Sequence, residues 1–117
     1  MVADCSLVIC RAVVSIDSFE DVPVDNERAL AKAVTAQPIS VAICASQGLQ
    51  LYAEGILDQC CTELDHGVLA VGYGEEGGVP YWIVKNSWGG AWGEEGYFRL
   101  RKDVSDKKGA HHAVEIM

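Results

Sequence analysis

The chain has 117 residues, of which 50% are hydrophobic and 22% are charged, and its formal net charge is −8. This length allows one small domain, and the composition is that of a globular chain rather than a disordered one. The negative charge argues against binding to nucleic acids and to anionic membrane surfaces, because both would repel it.

The amino terminus carries a short apolar run at residues 7–9, which is followed by Arg11 and is not preceded by a basic leader. This run is far shorter than the roughly 20 residues that span a bilayer. The sequence therefore predicts neither a signal peptide nor a transmembrane segment here, and we expect that an upstream part of the protein is missing.

A helix is predicted over residues 26–36. Asp25 or Asn26 can cap it, and Glu27 lies in the first turn, where the helix dipole favours an anion. The helix ends before Pro38, because proline disfavours helical geometry in the preceding residue. Apolar residues at helical spacing predict one buried stripe, formed by Ala29, Leu30, Ala33 and Val34.

Beyond this helix the pattern changes to strands, predicted over residues 39–44, 66–73, 81–86, 97–101 and 113–116. Between the first two strands lies a polar stretch whose expected anchors in the core are Leu49, Leu51 and Tyr52. Short links with glycine favour hairpins. The predicted fold class is therefore α+β, with an antiparallel sheet or open barrel and one main helix.

Residues 74–78 are predicted to form a hairpin loop centred near Glu76. Antiparallel pairing around this centre places His66 directly opposite Asn86, with Cβ atoms about 4.5–5.5 Å apart. A slip of one residue would move the two side chains to opposite faces. The predicted shared face carries His66, Val68, Ala70, Gly72, Trp82, Val84 and Asn86.

A histidine beside an asparagine can do specific chemistry. The amide oxygen of Asn86 can accept the imidazole N–H of His66, which leaves the other ring nitrogen to take a proton from a thiol. Trp88 follows closely and could shield this hydrogen bond from water. By spacing alone, however, such a histidine is more often a partly buried, hydrogen-bonded residue, and an asparagine that ends a strand more often belongs to a turn.

Four sequence strings carry a more specific signal: LDHGV at 64–68, VGYG at 71–74, YWIVKNSWG at 81–89 and WGEEGY at 92–97. They closely resemble the papain-like cysteine proteases. The match is denser in plant-type members, where a segment like VSIDSFEDVP at 14–23 is familiar, and QPISVAI at 37–43 resembles the family's strand that leads into the cleft wall. The resemblance assigns residues 13–117 to the β-rich, right-hand domain of a two-domain fold, with residues 1–12 as a poorly matching extension.

The resemblance implies that His66 is the general base and acid and that Asn86 is its orienting partner. Support for this catalytic pair would come from Trp88, Ser87 and Asp65. The implied substrate-binding residues are Ala42, Gly67 and Glu115. No cofactor is implied, and no metal site is expected, because no cysteine and histidine spacing resembles a zinc site and the adjacent His111 and His112 are expected to be exposed polar residues.

The chain departs from the family pattern at its cysteines, whose number suggests an oxidising compartment. The nucleophile motif Cys-Gly-Ser-Cys-Trp is absent, and Cys44 matches a position that is usually acidic. Cys60 matches a half-cystine whose partner near the carboxyl terminus is absent, so the usual bridge cannot form. None of the five is expected to act as nucleophile: Cys5, Cys10, Cys44, Cys60 and Cys61.

The leading hypothesis is the carboxyl-terminal half of a papain-like cysteine endopeptidase, a hydrolase whose isolated chain is inactive. The implied partners are a peptide or protein substrate, the missing helical domain and cystatin-type inhibitors. The parent protein would be secreted, vacuolar or lysosomal. The alternative is a non-catalytic, stand-alone domain that binds a protease domain, a pro-segment or an inhibitor through an exposed apolar face.

Overall fold

The computed structural model describes residues 12–23, 26–58, 63–102 and 114–116. In this part of the chain the helices are α1 (Glu27–Val34) and α2 (Gln47–Gln50). The strands are β1 (Ile39–Ile43), β2 (Ile56–Leu57), β3 (His66–Glu76), β4 (Val79–Lys85), β5 (Tyr97–Arg101) and β6 (Val114–Ile116). Neither helix has the length and apolar content that a crossing of the membrane requires.

The strands form one sheet in the order β2-β5-β4-β3-β1-β6. All neighbouring strands are antiparallel except β2 and β5, which are parallel. The predicted α+β class is confirmed, and the sheet is antiparallel as predicted except at β2, a strand that the sequence did not predict. This strand has only 2 residues and lies in a stretch whose polar composition gave no strand pattern.

Of the two predicted caps of helix α1, Asp25 and Asn26, the N-cap is Asn26. The Oδ1 atom of Asn26 accepts a hydrogen bond from the N–H of Ala29 at 2.9 Å, which satisfies one of the free donors of the first turn. The helix ends at Val34, earlier than predicted, and its last turn closes with a backbone bond from the N–H of Thr35 to the oxygen of Ala31. Leu30 and Val34 are buried, as the apolar stripe predicted, whereas Ala29 and Ala33 of that stripe are only half-buried.

The core lies between α1, α2 and one face of the sheet. Its largest fully buried side chains are Trp82, Phe98, Ile43, Leu49, Val41 and Val84. Two of the three expected anchors of the stretch after β1, Leu49 and Tyr52, belong to this core. The third, Leu51, is 76% exposed, so that prediction was wrong. Leu51 follows the short helix α2, whose inward side is already occupied by Leu49.

The turn between β3 and β4 lies at Gly77 and Gly78 rather than around Glu76. Both glycines have positive φ, 57° and 81°, which side chains disfavour and which two-residue hairpin turns require. Strand β3 therefore continues to Glu76, which pairs with Val79. The predicted loop was too long because its first three residues, 74–76, belong to the strand.

The register of this hairpin differs from the predicted one. The prediction pairs Ala70 with Trp82, whereas Ala70 pairs with Val84. A shift by an even number of residues keeps each side chain on its face, and Ala70 and Val84 are both buried. A bulge between Ala70 and Gly72 then shifts the register by one more residue. Tyr73 therefore pairs with Trp82, and Gly72 does not lie on the same face as Trp82, contrary to the prediction.

Candidate active site

His66 is the first residue of β3 and pairs with Ile43 at the end of β1. The preceding residue, Asp65, is attached to β1 at two points. Its N–H donates to the oxygen of Ile43 at 3.0 Å, and its Oδ1 accepts the N–H of Ala45 at 2.8 Å. These bonds fix the backbone from which the imidazole projects.

Asn86 directly follows β4 and is only 6% exposed. Its N–H donates to the oxygen of Gly96 at 3.0 Å, which closes the loop between β4 and β5. Because Leu69 pairs with Lys85, extending the ladder by one residue places Asn86 opposite Val68. His66 is then a diagonal neighbour of Asn86 rather than its direct partner, and such diagonal pairs lie within reach of long side chains.

The two side chains meet. The Nε2 atom of His66 lies 2.8 Å from the Oδ1 atom of Asn86, and the N–H of Ser87 donates to the same oxygen at 2.8 Å. A backbone N–H can only donate, so the atom that it faces must be the amide oxygen. His66 therefore carries its proton on Nε2 in the neutral form, and its Nδ1 has a free lone pair.

The amide nitrogen of Asn86 has no hydrogen-bond partner in the described part of the chain, although it is buried. Buried amide donors are paired in the great majority of proteins, and an unpaired one costs stability. The unpaired nitrogen belongs to the same amide group that contacts His66. An unpaired buried donor of this kind is often found at a functional site.

Trp88 covers the imidazole. The rings of His66 and Trp88 are stacked, with centroids 5.0 Å apart and an interplanar angle of 24°. Trp88 is itself 38% exposed. Its indole therefore lies between one face of the His66 ring and the solvent. Exclusion of water lowers the local dielectric constant and strengthens the hydrogen bond to Asn86.

This arrangement can exchange a proton with a reacting group. Asn86 orients the ring and keeps a proton on Nε2, which leaves Nδ1 as the base. Protonation of Nδ1 gives an imidazolium, which the amide oxygen also stabilises. Within the described residues no group of three or more histidine, cysteine, aspartate or glutamate side chains is arranged to hold a metal ion.

The residues expected to bind substrate lie in one row of the sheet. Ala42 in β1 pairs on one side with Gly67 and on the other with Glu115. Gly67 also borders an open pocket of about 480 Å³ beside Asn86. The other residues that line this pocket are Ser40, Val68, Leu69, Lys85, Asn86 and Ser87. Ala42 is adjacent to Gly67 in register but does not line the pocket.

Cys44 is half of a disulfide, so it holds no free thiol. The predictions for the other cysteines and for the histidine pair lie outside the described residues: Cys5, Cys10, Cys60, Cys61, His111 and His112. The boundary predicted at residue 12 also falls at the edge of the described part.

A polar cluster beneath the loop after Asn86 was missed from the sequence. Arg99 donates to the carboxylate of Glu94 through Nε and Nη2, at 3.0 and 2.9 Å, and also pairs with Glu76. The hydroxyl of Tyr52 lies 2.9 Å from Glu94 Oε1. The sequence gave no signal for it, because Tyr52 lies 42 residues before Glu94.

The pKa values in this cluster are perturbed. The hydrogen bonds from Arg99 hold the pKa of Glu94 below its ordinary 4.5, against the opposing effect of partial burial. The same bonds, with the contact to Glu76, raise the pKa of Arg99. Burial is the main cause that raises the pKa of Tyr52 above 10.0. At neutral pH the cluster is therefore an ionised carboxylate held by a guanidinium and a neutral phenol.

Comparison with known proteins places this geometry in context. A family model described as papain family cysteine protease matches residues 3–116. The thiol protease SEN102 of Hemerocallis sp. is 59% identical over 100 residues, which are 83% of this chain and 28% of that protein. The probable cysteine protease RD21C of Arabidopsis thaliana is 56% identical over 99 residues, 83% of this chain and 22% of that protein.

Solved structures show the same likeness. The bromelain protease from Ananas comosus, in complex with the E64 inhibitor, has a TM-score of 0.74 and 44% identity, covering 81% of this chain and 46% of that one. The Amb a 11 cysteine protease of ragweed pollen, in its proform, has a TM-score of 0.78 and 44% identity, covering 90% and 33%.

The chain thus spans between 22% and 28% of the length of these two curated relatives. Within that span the family match reaches almost from end to end, and it includes His66, Asn86 and the loop that joins β4 to β5. The chain belongs to the papain family of cysteine proteases.

Proposed function

We propose that this chain supplies the base side of a papain-like cysteine endopeptidase, with His66 as general acid and base and Asn86 as its orienting partner. The observation that carries the proposal is the hydrogen bond between His66 Nε2 and Asn86 Oδ1 at 2.8 Å. The N–H of Ser87 fixes the oxygen of the amide at this contact. The lone pair of Nδ1 is thereby left for a thiol.

The nucleophilic thiol comes from a segment outside this sequence, the helical domain of the parent enzyme. Two observations support this assignment. No part of the sequence matches the family's Cys-Gly-Ser-Cys-Trp motif, and Cys44, the cysteine that lies near His66 in the described structure, is already in a disulfide. The isolated chain is therefore expected to have no peptidase activity.

In the assembled enzyme the thiol proton passes to His66 Nδ1, and the thiolate attacks the carbonyl carbon of the scissile peptide bond. The imidazolium then gives this proton to the leaving amine as the C–N bond breaks, which leaves a thioester. A water molecule then attacks the thioester and gives a proton to His66. His66 returns this proton to the sulfur as the C–S bond breaks, which releases the acid product and restores the thiol.

Three neighbours support this pair. Asp65 holds the backbone before His66 against the end of β1 through its bonds to Ile43 and Ala45. Ser87 acts through its backbone N–H, so its side chain is not needed for this role. Trp88 shields the hydrogen bond by stacking on the imidazole.

The main specificity pocket is proposed at the row formed by Ala42, Gly67 and Glu115. The paired positions of these residues support it, as does the open pocket that Gly67 borders. An acidic residue in this row would favour a basic substrate side chain. Replacing it, Glu115→Gln, should lower kcat/KM for basic residues at the corresponding substrate position relative to apolar ones.

The proposal is tested with a chimaera in which the helical, cysteine-bearing domain of a papain-family relative precedes residues 12–117 of this chain. We expect the chimaera to cleave a fluorogenic peptide, and we expect iodoacetamide to abolish that activity. His66→Ala should reduce kcat to background, and Asn86→Ala should reduce it by about 10–100-fold, because the ring loses its orienting partner but not its base.

The isolated 117-residue chain is the reference in this experiment. Lys32→Ala in the chimaera is the matched control, because Lys32 is exposed on α1, a helix that contributes nothing to the His66–Asn86 contact. Turnover by the isolated chain that thiol alkylation removes would contradict the placement of the nucleophile. A chimaera that folds and keeps its activity after His66→Ala would contradict the role of the base.

We further propose that the parent enzyme works in an oxidising compartment, outside the cell or in a vacuole or lysosome. The disulfide at Cys44 supports this, because such bonds persist mainly in oxidising surroundings. Pro-segments and inhibitors, including cystatin-type ones, would bind across the cleft that the two domains form. Mass spectrometry of non-reduced peptides from native tissue should find Cys44 cross-linked, and a free Cys44 thiol there would contradict the assignment.

A second candidate is a non-catalytic domain that binds a protease domain, pro-segment or inhibitor. The extended segment before α1 favours it, because four apolar side chains there are between 67% and 90% exposed: Val13, Val14, Ile16 and Phe19. An exposed apolar run of this kind suits a protein partner. Light scattering and a pull-down with the helical domain separate the candidates, since a monomer without affinity for that domain argues against this one.

A further inference from the structure

The Glu94 carboxylate stands at the centre of a hydrogen-bond cluster that the catalytic pair does not use. Arg99 approaches it with two nitrogens, at 3.0 and 2.9 Å, a forked geometry that is among the strongest for a carboxylate. The hydroxyl of Tyr52 lies 2.9 Å from Oε1, and the N–H of Gly55 lies 3.4 Å from Oε2. Both oxygens of Glu94 are therefore occupied.

The backbone of Glu94 belongs to the loop that begins at Asn86. Its N–H donates to the oxygen of Tyr97 at 2.8 Å, and the N–H of Gly96 donates to the oxygen of Trp92 at 2.8 Å. The oxygen of Gly96 in turn accepts the N–H of Asn86. The side chain of Glu94 thus ties this loop to β5, through Arg99, and to the segment after α2, through Tyr52.

A continuous path of ring contacts leads from the same cluster to the imidazole. The ring of Tyr52 lies 5.5 Å from that of Trp92, and Trp92 meets Trp88 edge to face at 5.1 Å. Trp88 is stacked on His66 at 5.0 Å. Trp92 is further held by Phe98 of the core, at 5.6 Å.

We propose that Glu94 is a positioning residue for His66, because it fixes Trp92 and thereby the indole of Trp88 over the imidazole. The proposal rests on the function proposed above for His66, although the contacts that carry it do not depend on catalysis. Glu94 touches neither the imidazole nor the amide of Asn86, so it acts only through the loop and the two indoles.

Loss of the Glu94 carboxylate should loosen the loop before it disrupts the fold. Arg99 keeps its second carboxylate, Glu76, and β5 keeps its ladder to β4. The hydroxyl of Tyr52 loses Glu94 as an acceptor, however, and keeps only the backbone oxygen of Gly55, at 2.5 Å, which lies outside the loop. The N–H of Gly55 loses its contact as well, so the ring contact with Trp92 is the link that remains between Tyr52 and the loop. Trp88 is partly exposed, and its ring contacts are those with His66 and Trp92.

The test uses the 117-residue chain and the NMR resonances of the His66 ring C–H protons. A stacked indole shifts these resonances through its ring current, and Trp88→Leu gives their positions without the stack. We expect Glu94→Ala to move them by about half or more of the distance from wild type to Trp88→Leu, because a ring contact alone holds the indole only weakly. Glu94→Gln, which can still accept a bond from Tyr52, should move them less.

Glu76→Gln is the matched control, because it removes the other carboxylate of Arg99 without touching the loop. It should leave the His66 resonances at their wild-type positions. Tyr52→Phe removes the hydroxyl contact and keeps the ring beside Trp92, so it should give an intermediate displacement. This variant decides the question if the Glu94 variants do not fold.

Wild-type His66 resonances in a folded Glu94→Ala chain, or in Tyr52→Phe if that variant must decide, would overturn the proposal. An equal displacement in Glu76→Gln would also overturn it, because the loss of either carboxylate that pairs with Arg99 would then have the same effect. In the chimaera, Glu94→Ala should lower kcat and leave KM unchanged. If the chimaera is inactive while the resonances move as expected, the proposed function fails and the positioning role stands.

Discussion

The indole of Trp88 is stacked on the imidazole of His66, with ring centroids 5.0 Å apart and ring planes 24° from parallel. On its other side Trp88 meets Trp92 edge to face. The proposed base is thus one end of a short series of aromatic rings that begins in the core. The access of water to the His66 ring therefore depends on the partly exposed side chain of Trp88 rather than on the strands that position His66 and Asn86.

Replacement of Trp88 by leucine should expose His66. We expect a loss of about 1–2 kcal/mol in the free energy of unfolding, from the ring contacts and the apolar area removed. Diethyl pyrocarbonate should modify His66 faster than in wild type, as measured by mass spectrometry of its peptide. Tyr97→Leu is the matched control, since Tyr97 is 36% exposed against 38% for Trp88 and lies outside this series of rings. Equal rates in the two variants would contradict the shielding role.

Gly93 should not tolerate a side chain. Its φ is +61°, and a Cβ atom there would lie 2.6 Å from the backbone oxygen of Tyr97. We expect Gly93→Ala to lower the free energy of unfolding by about 2 kcal/mol or more, measured by urea denaturation. Gly90→Ala should change it by less than about 0.5 kcal/mol, because no atom lies within 4 Å of a Cβ at that site. A similar loss in both variants would show that the loop is not held as described.

Glu95 is a site where a substitution should stabilise the protein. Its φ is 57°, a left-handed conformation that costs a non-glycine residue about 1–2 kcal/mol. Glycine removes that strain and loses about 0.5–1 kcal/mol in chain entropy, so Glu95→Gly should gain about 0.5–1 kcal/mol in thermal or urea denaturation. The control Glu54→Gly, at an exposed residue outside this conformation, should lose stability. A loss of stability in both variants would contradict the presence of backbone strain at Glu95.

Acid should remove the contribution of Glu94 to stability. The hydrogen bonds from Arg99 hold its pKa in the folded state below 4.5, so the unfolded chain binds the proton more readily. The contribution is therefore present above about pH 4.5 and is lost as the pH falls through the lower pKa of the folded state. The difference in urea midpoint between wild type and Glu94→Gln should be largest near pH 7 and should shrink below pH 4.5. A difference that stays constant down to pH 3 would disagree with this linkage.

Local chemistry explains what was predictable in the fold. Asn26 could be identified as a cap because the bond it makes joins residues three positions apart. The bounds of β5 were predicted correctly because its residues alternate between buried and exposed positions. Strand β2 could not be predicted, since its parallel pairing with β5 depends on residues far along the chain.

The site was predictable for a different reason. His66 and Asn86 stand in strings that resemble a family closely, and that resemblance identified them although the inferred register was wrong. The bulge between Ala70 and Gly72 and the turn at Gly77 and Gly78 decide the register. The Glu94 cluster gave no signal, because Tyr52 and Glu94 are 42 residues apart and come together only when the core forms.

The hairpin has a consequence for how such an enzyme can be divided. His66 and Asn86 are 20 residues apart and lie at the base of one pair of adjacent strands. A break in the gene anywhere before β3 therefore leaves the proposed base, His66, and its proposed orienting partner, Asn86, on the same piece. Under the proposed function, recombination can exchange the nucleophile's domain as one unit and this hairpin as another, without separating these two residues.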